Sequence, residues 1–420
     1  MCPFCLLLCL GTTLASLENG QLIFVHALWR HGDRTPTHLI PSDSGNPLSS
    51  WPQGLGELTP QGMRQQLDLG NLLASRYSGF LNLSSFPQNQ IYVRSTDFNR
   101  TLMSAYANLQ GMWKGIKNRT ISQDTNWPGN YIPIPVHTVS KWNDKVLWTD
   151  LPCPKADEAR LYQQNSSPQA LQIYHNISAF IEQLRNWTHW PNIETSSLIT
   201  RTSDTLFCEA QHANMHKLPS WAQPSVYTQL RHLSTSVHQL AFDTPFLAKM
   251  RGGNFLKEVL ERMQAKLACS HKESAACDWI REHKFYAYSA HDTTLMAVMQ
   301  ALGAAALMPG GMPNYAGCLL LELYRLPDGS GLVKVFYKDG FDVPDFRPVN
   351  VSGCQSHDCP LDSFSKRSAP FISSDWKADC GLAEGQSAAA PNLKVPLVVV
   401  SVVAGLLMVA VVILLRLRYN

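Results

Sequence analysis

The 420-residue chain is poor in charge: Asp, Glu, Lys and Arg supply only 16% of it, and the formal net charge is +3. With 45% hydrophobic residues it is neither a polyelectrolyte nor a disordered tail, and no basic stripe runs through it. Nucleic acid is therefore not expected as a partner. The cysteines show no spacing that suggests zinc. The 14 histidines stand outside the charge count and would make the molecule cationic in an acidic compartment.

Charge is missing most completely from Val395 to Leu415, where 21 residues in a row carry none. At about 1.5 Å rise per residue such a helix crosses a hydrocarbon core of about 30 Å. Residues 395–415 are read as one transmembrane helix, with Arg416 and Arg418 holding the 416–420 tail in the cytosol. No Lys or Arg precedes the short apolar run Phe4 to Leu10, yet the small residues that follow, up to Ser16, make residues 1–16 a secretory signal. The expectation is a single-pass type I membrane protein with a lumenal or extracellular catalytic part, joined to its anchor by a stalk, 381–394. Beyond the signal lie eight cysteines, an even number suited to an oxidising compartment. Seven Asn-x-Ser/Thr sequons occur, at Asn82, Asn99, Asn118, Asn165, Asn176, Asn186 and Asn350.

Three segments of the lumenal part share the order strand, polar elbow, helix or loop. Gln21 to Leu28 leads into Trp29-Arg30-His31-Gly32-Asp33-Arg34-Thr35-Pro36; Gln90 to Val93 leads into Arg94-Ser95-Thr96-Asp97; Lys284 to Tyr288 leads into Ser289-Ala290-His291-Asp292. In an open α/β sheet, ligands bind beyond the carboxyl ends of the strands, so the three elbows are expected to converge on one pocket. Arg30, Arg34 and Arg94 would bring three planar forks of donors, which match a tetrahedral oxyanion such as phosphate. His31, flanked by arginines, would have its pKa lowered and stay neutral and nucleophilic in mild acid. His291 would donate a hydrogen bond to the phosphoryl group, and Asp292 a proton to the leaving oxygen. Each piece alone is ordinary: a His-Asp pair at a strand end is usually a cap, and Arg-x-x-x-Arg a solvated face.

Residues 117–225 are rich in Trp, Asn and Pro and lack strong β-runs, which suggests an inserted, mostly helical smaller domain; 17–116 and 226–380 then form the α/β domain. Cys318 to Tyr324 and Gly331 to Tyr337, separated by Asp328-Gly329, read as a β-hairpin.

Arg30-His31-Gly32-x-Arg34-x-Pro36, Val93-Arg94-Ser95-Thr96-Asp97 and Ala290-His291-Asp292, in this order, resemble the catalytic segments of the histidine acid phosphatases, branch 2 of the histidine phosphatase superfamily. The likeness spans almost the whole lumenal chain and is closest to the lysosomal and prostatic-type animal enzymes. It implies an α/β fold with a central, mostly parallel sheet flanked by helices, a smaller helical domain, no metal, no cofactor and a homodimer. By the same resemblance His31 is the nucleophile that becomes phosphohistidine, Asp292 the proton donor, and Arg30, Arg34, Arg94 and His291 the phosphate clamp. The implied disulfides are Cys153–Cys380, Cys208–Cys318 and Cys354–Cys359, which leaves Cys269 and Cys277 to bridge each other. Glycans are expected at Asn82, Asn118, Asn165, Asn176, Asn186 and Asn350. Asn99 stands where the family often has a second Asp, and its sequon, beside the proposed site, is expected to be unoccupied.

The resulting expectation is a membrane-anchored acid phosphatase acting on phosphomonoesters, which include small molecules, phosphotyrosine peptides and lipid phosphates. The alternative is a catalytically dead ectodomain used for binding, against which stands the intact set of six residues. Tyr419 is next to last, so the residues that would complete a tyrosine sorting signal are not there, and the plasma membrane stands beside the lysosomal membrane as an expected destination.

Overall fold

The computed structural model describes residues 20–83, 89–114, 133–270, 272–308 and 311–382. The signal segment, all but the first two residues of the stalk, the apolar run 395–415 and the Asn118 sequon lie outside them. Among the described residues no helix is long and apolar enough to cross a membrane.

Among the described residues eight strands form one sheet: β1 (Gln21–Arg30), β2 (Ile91–Ser95), β3 (Val136–Thr138), β4 (Phe285–Ala290), β5 (Cys318–Arg325), β6 (Gly331–Lys338), β7 (Arg347–Pro348) and β8 (Cys359–Pro360). The order is β3-β2-β4-β1-β5-β6-β7, with β8 paired to β6. The sheet is mixed rather than mostly parallel. Pairings β2–β3, β2–β4 and β1–β4 are parallel, whereas β1–β5, β5–β6, β6–β7 and β6–β8 are antiparallel. The expected hairpin supplies the antiparallel flank, turning at Gly329 with φ +85°, where a side chain would be strained.

Strand β1 is buried on both faces because helices cover both. Its alternation divides the core: Phe24 and Leu28 join one apolar cluster, while Val25, Ala27 and Trp29 join the other. Helices α1 (Pro60–Arg76) and α2 (Asn99–Met112) cover the Trp29 face. Thr59 caps α1, its hydroxyl accepting from the Gly62 amide at 3.1 Å, and Pro60 at the first position needs no partner for an N–H.

A helical segment follows β3: α3 (Pro154–Asn165), α4 (Pro168–Asn176), α5 (Ser178–Thr188), α6 (Thr195–Gln211) and α7 (Pro224–Leu240). It has a core of its own, built from Ile181, Leu184, Leu198, Ile199, Leu206, Leu230 and Val237, which runs through α7 beyond residue 225. The chain then returns through α8 (Pro245–Cys269), which with α9 (Asp292–Ala301) covers the Phe24 face of the sheet.

Among the described residues three disulfides form, Cys153–Cys380, Cys269–Cys277 and Cys354–Cys359. The first spans 227 positions and ties the start of α3 to the last described helix, Trp376–Cys380. The fourth expected bridge is absent: Cys208 and Cys318 are free and buried. Their surroundings explain this. Cys318 lies opposite Trp29 within the apolar core of that face, whereas Cys208 points at Tyr315 and Arg34, 3.4 and 3.5 Å from its sulfur. Asn82, Asn176, Asn186 and Asn350 are exposed, and Asn165 is half-buried with its side-chain oxygen accepting from the Ser196 amide.

Candidate active site

The parallel pairing of β1 with β4 aligns Arg30 with Ala290, and the His31 amide donates to the Ala290 carbonyl at 3.0 Å. Backbone register thus brings the His31 and His291 rings to 5.6 Å, edge to face. The loop after β1 is held from every side. Gln66 donates to the Arg30 carbonyl at 2.8 Å, the Gly32 amide donates to Ser104 at 3.1 Å, and the Asp33 amide donates to Gln65 at 2.7 Å. Gly32 is required for this approach, because a Cβ there would run into the backbone of Gly62 at the start of α1.

His31 is 2% exposed, and its Nδ1 lies 2.8 Å from the Gly32 carbonyl oxygen. A carbonyl only accepts, so Nδ1 carries the hydrogen, and a neutral ring keeps its lone pair on Nε2. Burial first, then Arg100, Arg30 and Arg34, hold the imidazole pKa well below its ordinary value.

His291 ends the β4 elbow. Thr96 Oγ1 is 2.9 Å from its Nε2, and Arg100 approaches its Nδ1 at 3.4 Å. Asp292 opens α9 and forms an ion pair with Arg30 at 2.7 Å, while its second oxygen accepts from the Thr293 amide at 2.8 Å. Burial pushes this carboxyl's pKa up, but Arg30 and then Arg34 outweigh it and hold the group well below the usual range. Arg30 also donates to the Pro313 carbonyl at 2.7 Å and stacks on Tyr315 at 4.4 Å. Arg34 is gripped by Asp204 through two contacts, 2.7 and 3.2 Å.

Five of the six expected residues therefore meet at the strand ends, and the sixth does not. Arg94 turns to Asp144 at 2.5 Å and Glu258 at 3.4 Å, in a network that continues to Arg262 and Tyr288. Its register partner on β4 is Tyr288, so strand alternation directs both to the α8 face, away from the elbow. The cation in its place is Arg100, in the first turn of α2. It stacks on Phe98 at 4.7 Å, and the Phe98 ring meets His291 edge-on at 5.1 Å. Burial, then Arg34, lowers its pKa to about 10. One sequence signal pointed here: a cation at a helix N-terminus opposes the helix dipole, and a broken local rule marks a functional position. Asn99, beside it, is exposed and donates to Glu57 at 3.1 Å.

The outer wall is helical. Arg201, Asp204 and Phe207 lie at i, i+3 and i+6 on α6, and Arg231, Ser234 and His238 at i, i+3 and i+7 on α7, so each helix presents one face to the opening. Behind the loop, Asp33 is fully buried and its carboxylate lies 2.7 Å from His212 Nε2, joining the His31 loop to the end of α6. Asp204, Tyr315 and His212 carry no local motif that would have identified them. Among the described residues no group of three or more His, Cys, Asp or Glu side chains is placed to hold a metal ion.

Known proteins resemble this chain over most of its length. Rat lysosomal acid phosphatase is 36% identical over 375 residues, covering 87% of this chain and 82% of the relative. Mouse prostatic acid phosphatase is 33% identical, covering 89% of this chain and 93% of the relative. The phytase of Klebsiella sp. ASR1 shares the fold, with a TM-score of 0.62 at 21% identity, over 89% of this chain and 100% of that one. Residues 21–338, which run from the first strand of the sheet to the end of its hairpin, match the description of the histidine phosphatase superfamily (branch 2), and the chain belongs to that family.

Proposed function

We propose that the protein is an acid phosphatase that hydrolyses phosphomonoesters through a phosphohistidine at His31, with Asp292 as proton donor. The observation that carries this reading is the His31 ring: its Nδ1 is tied to Gly32 and its neutral form is favoured by burial and then by Arg100, Arg30 and Arg34, the cations that would hold a phosphoryl group. The Nε2 lone pair forms a bond to phosphorus while the bond to the ester oxygen breaks. That oxygen keeps the electron pair and takes the Asp292 proton. Water then attacks the phosphorus, the P–N bond breaks with its electron pair returning to Nε2, the Asp292 carboxylate accepts the water's proton, and phosphate leaves. The ion pair with Arg30 favours the ionised form of Asp292. An incoming phosphoryl group competes for Arg30 and adds negative charge beside the carboxyl, so its pKa rises and acid supplies the proton.

Incubation with labelled substrate, acid quench and peptide mapping test the reading. Label is expected on His31 and is lost in His31→Ala together with turnover. Asp292→Asn is expected to slow phosphoenzyme formation from alkyl phosphates by about 100-fold or more while sparing its formation from p-nitrophenyl phosphate, whose leaving group needs no proton. Label on another residue, or equal losses on both substrates, contradicts the assigned roles.

We further propose that the apolar run Val395–Leu415 anchors the enzyme as a type I protein of the lysosomal or plasma membrane. A two-fold assembly, implied by the resemblance alone, belongs to the same proposal. A chain stopped after Lys394 is expected to be secreted, soluble and active. Recovery of that chain only with membranes would refute the anchor.

A further inference from the structure

Beyond the phosphoryl site the opening continues as a cavity of about 180 Å³ between the strand ends and the helical wall. Arg30, Arg34 and Asp292 line its inner end, and Arg201 and Arg231 its α6 and α7 sides. The inner arginines are already paired, Arg30 with Asp292 and Arg34 with Asp204, each at 2.7 Å. Arg201 and Arg231 have no carboxylate within ion-pair distance among the described residues. Against the two carboxylates of Asp204 and Asp292, four arginines line the cavity, an excess of positive charge that a bound anion would offset.

Arg201 and Arg231 are held in place by aromatic rings. Arg231 stacks on Phe207 at 4.0 Å, Phe207 on Tyr315 at 5.3 Å, and Tyr315 carries Arg30 on its ring. Arg201 lies over Trp190 at 5.8 Å. Stacking of this kind fixes a guanidinium's plane and leaves its in-plane N–H donors free for a ligand.

We propose that Arg201 and Arg231 form a second anion subsite, so that the favoured substrates are compact phosphomonoesters whose leaving group carries a second phosphate. This rests on the phosphatase reading above. Arg201 is three residues from Asp204, which grips Arg34, so the same face of its helix turns both to the opening of the phosphoryl site. The cavity is also smaller than the roughly 300–1,000 Å³ of sites that enclose large ligands, which favours a short leaving group over a bulky one.

The test compares kcat/KM for propane-1,3-diyl bisphosphate and 3-hydroxypropyl phosphate, whose reacting ends are alike. The wild type is expected to prefer the bisphosphate by about tenfold or more, beyond the twofold that its two equivalent ends supply, with the preference shrinking from low to high salt. In the double variant Arg201→Gln/Arg231→Gln the ratio is expected to fall to about two, and with lysine at both positions most of it should remain. A wild-type ratio of about two, a preference unaffected by salt, or a preference retained in the double variant would overturn the subsite. The first two outcomes need no variant to fold. Hydrolysis of neither substrate by the wild type would instead count against the phosphatase reading itself.

Discussion

The two sides of the active site are built by different means. On the sheet side, His31, His291 and Asp292 are placed by backbone: parallel register sets the strand ends level, and main-chain hydrogen bonds carry the chain past them. On the helical side, Arg201, Asp204, Phe207 and Arg231 are placed by side-chain periodicity on helices whose opposite faces pack around Leu198, Leu206 and Leu230. The first construction leaves little freedom, since a shift of one residue would turn every β1 side chain to the other face. The second tolerates exchange of its exposed face while the buried one holds. The sheet side therefore suits the chemistry common to every phosphomonoester, and the helical side suits selection among them.

Arg100 and Arg94 provide the largest test of this division. Arg100→Ala removes a donor from the phosphoryl site and is expected to lower kcat by at least 100-fold, about 3 kcal/mol, with little change in melting temperature. Arg94→Ala strands the buried carboxylate of Asp144, which also accepts from the Val146 and Leu147 amides. Breaking such a pair costs about 3–5 kcal/mol of stability, while turnover per folded molecule should fall far less than in Arg100→Ala. Thermal melts beside active-site titration separate the two effects. A large kinetic loss in Arg94→Ala with unchanged melting would return that residue to the clamp.

Smaller, and confined to the helical side, is the effect of Glu209. Burial, then Asp43, raises its pKa from 4.5 to about 8. Because the folded carboxyl binds its proton more tightly than the unfolded one, its stabilisation is complete below about 4.5 and is lost as pH rises through about 8. Glu209→Gln, which stays neutral, is expected to stabilise the protein by about 1–2 kcal/mol at pH 8 and to change little at pH 4.5. The buried imidazoles of His26, His31 and His291 act in the opposite sense. Burial lowers their folded pKa values below 6.5, so unfolded histidines take up protons first and stability falls as pH drops below that value. A melting-temperature profile of the two proteins from pH 4 to 8 that runs parallel throughout would exclude the proton at Glu209.

The amino-acid sequence by itself determined the parts that rest on local order. The β1, β2 and β4 segments, their polar elbows, the β5–β6 hairpin and the grouping of Arg30, His31, Arg34, His291 and Asp292 were all legible, because strand runs and the residues just beyond them are contiguous in the chain. Only the tertiary structure decided what depends on direction. Arg94 and Arg100 are six positions apart after the same elbow, and which of them faces the pocket follows from the pleat of β2 and the first turn of α2. Cys208 and Cys318 fill an even count of cysteines, yet they reach different surroundings. The grip of Asp204 on Arg34, 170 positions away, exists only because a separate helical core delivers α6 to the strand ends. Contacts of that range are set by packing, and packing leaves no pattern in a local stretch of residues.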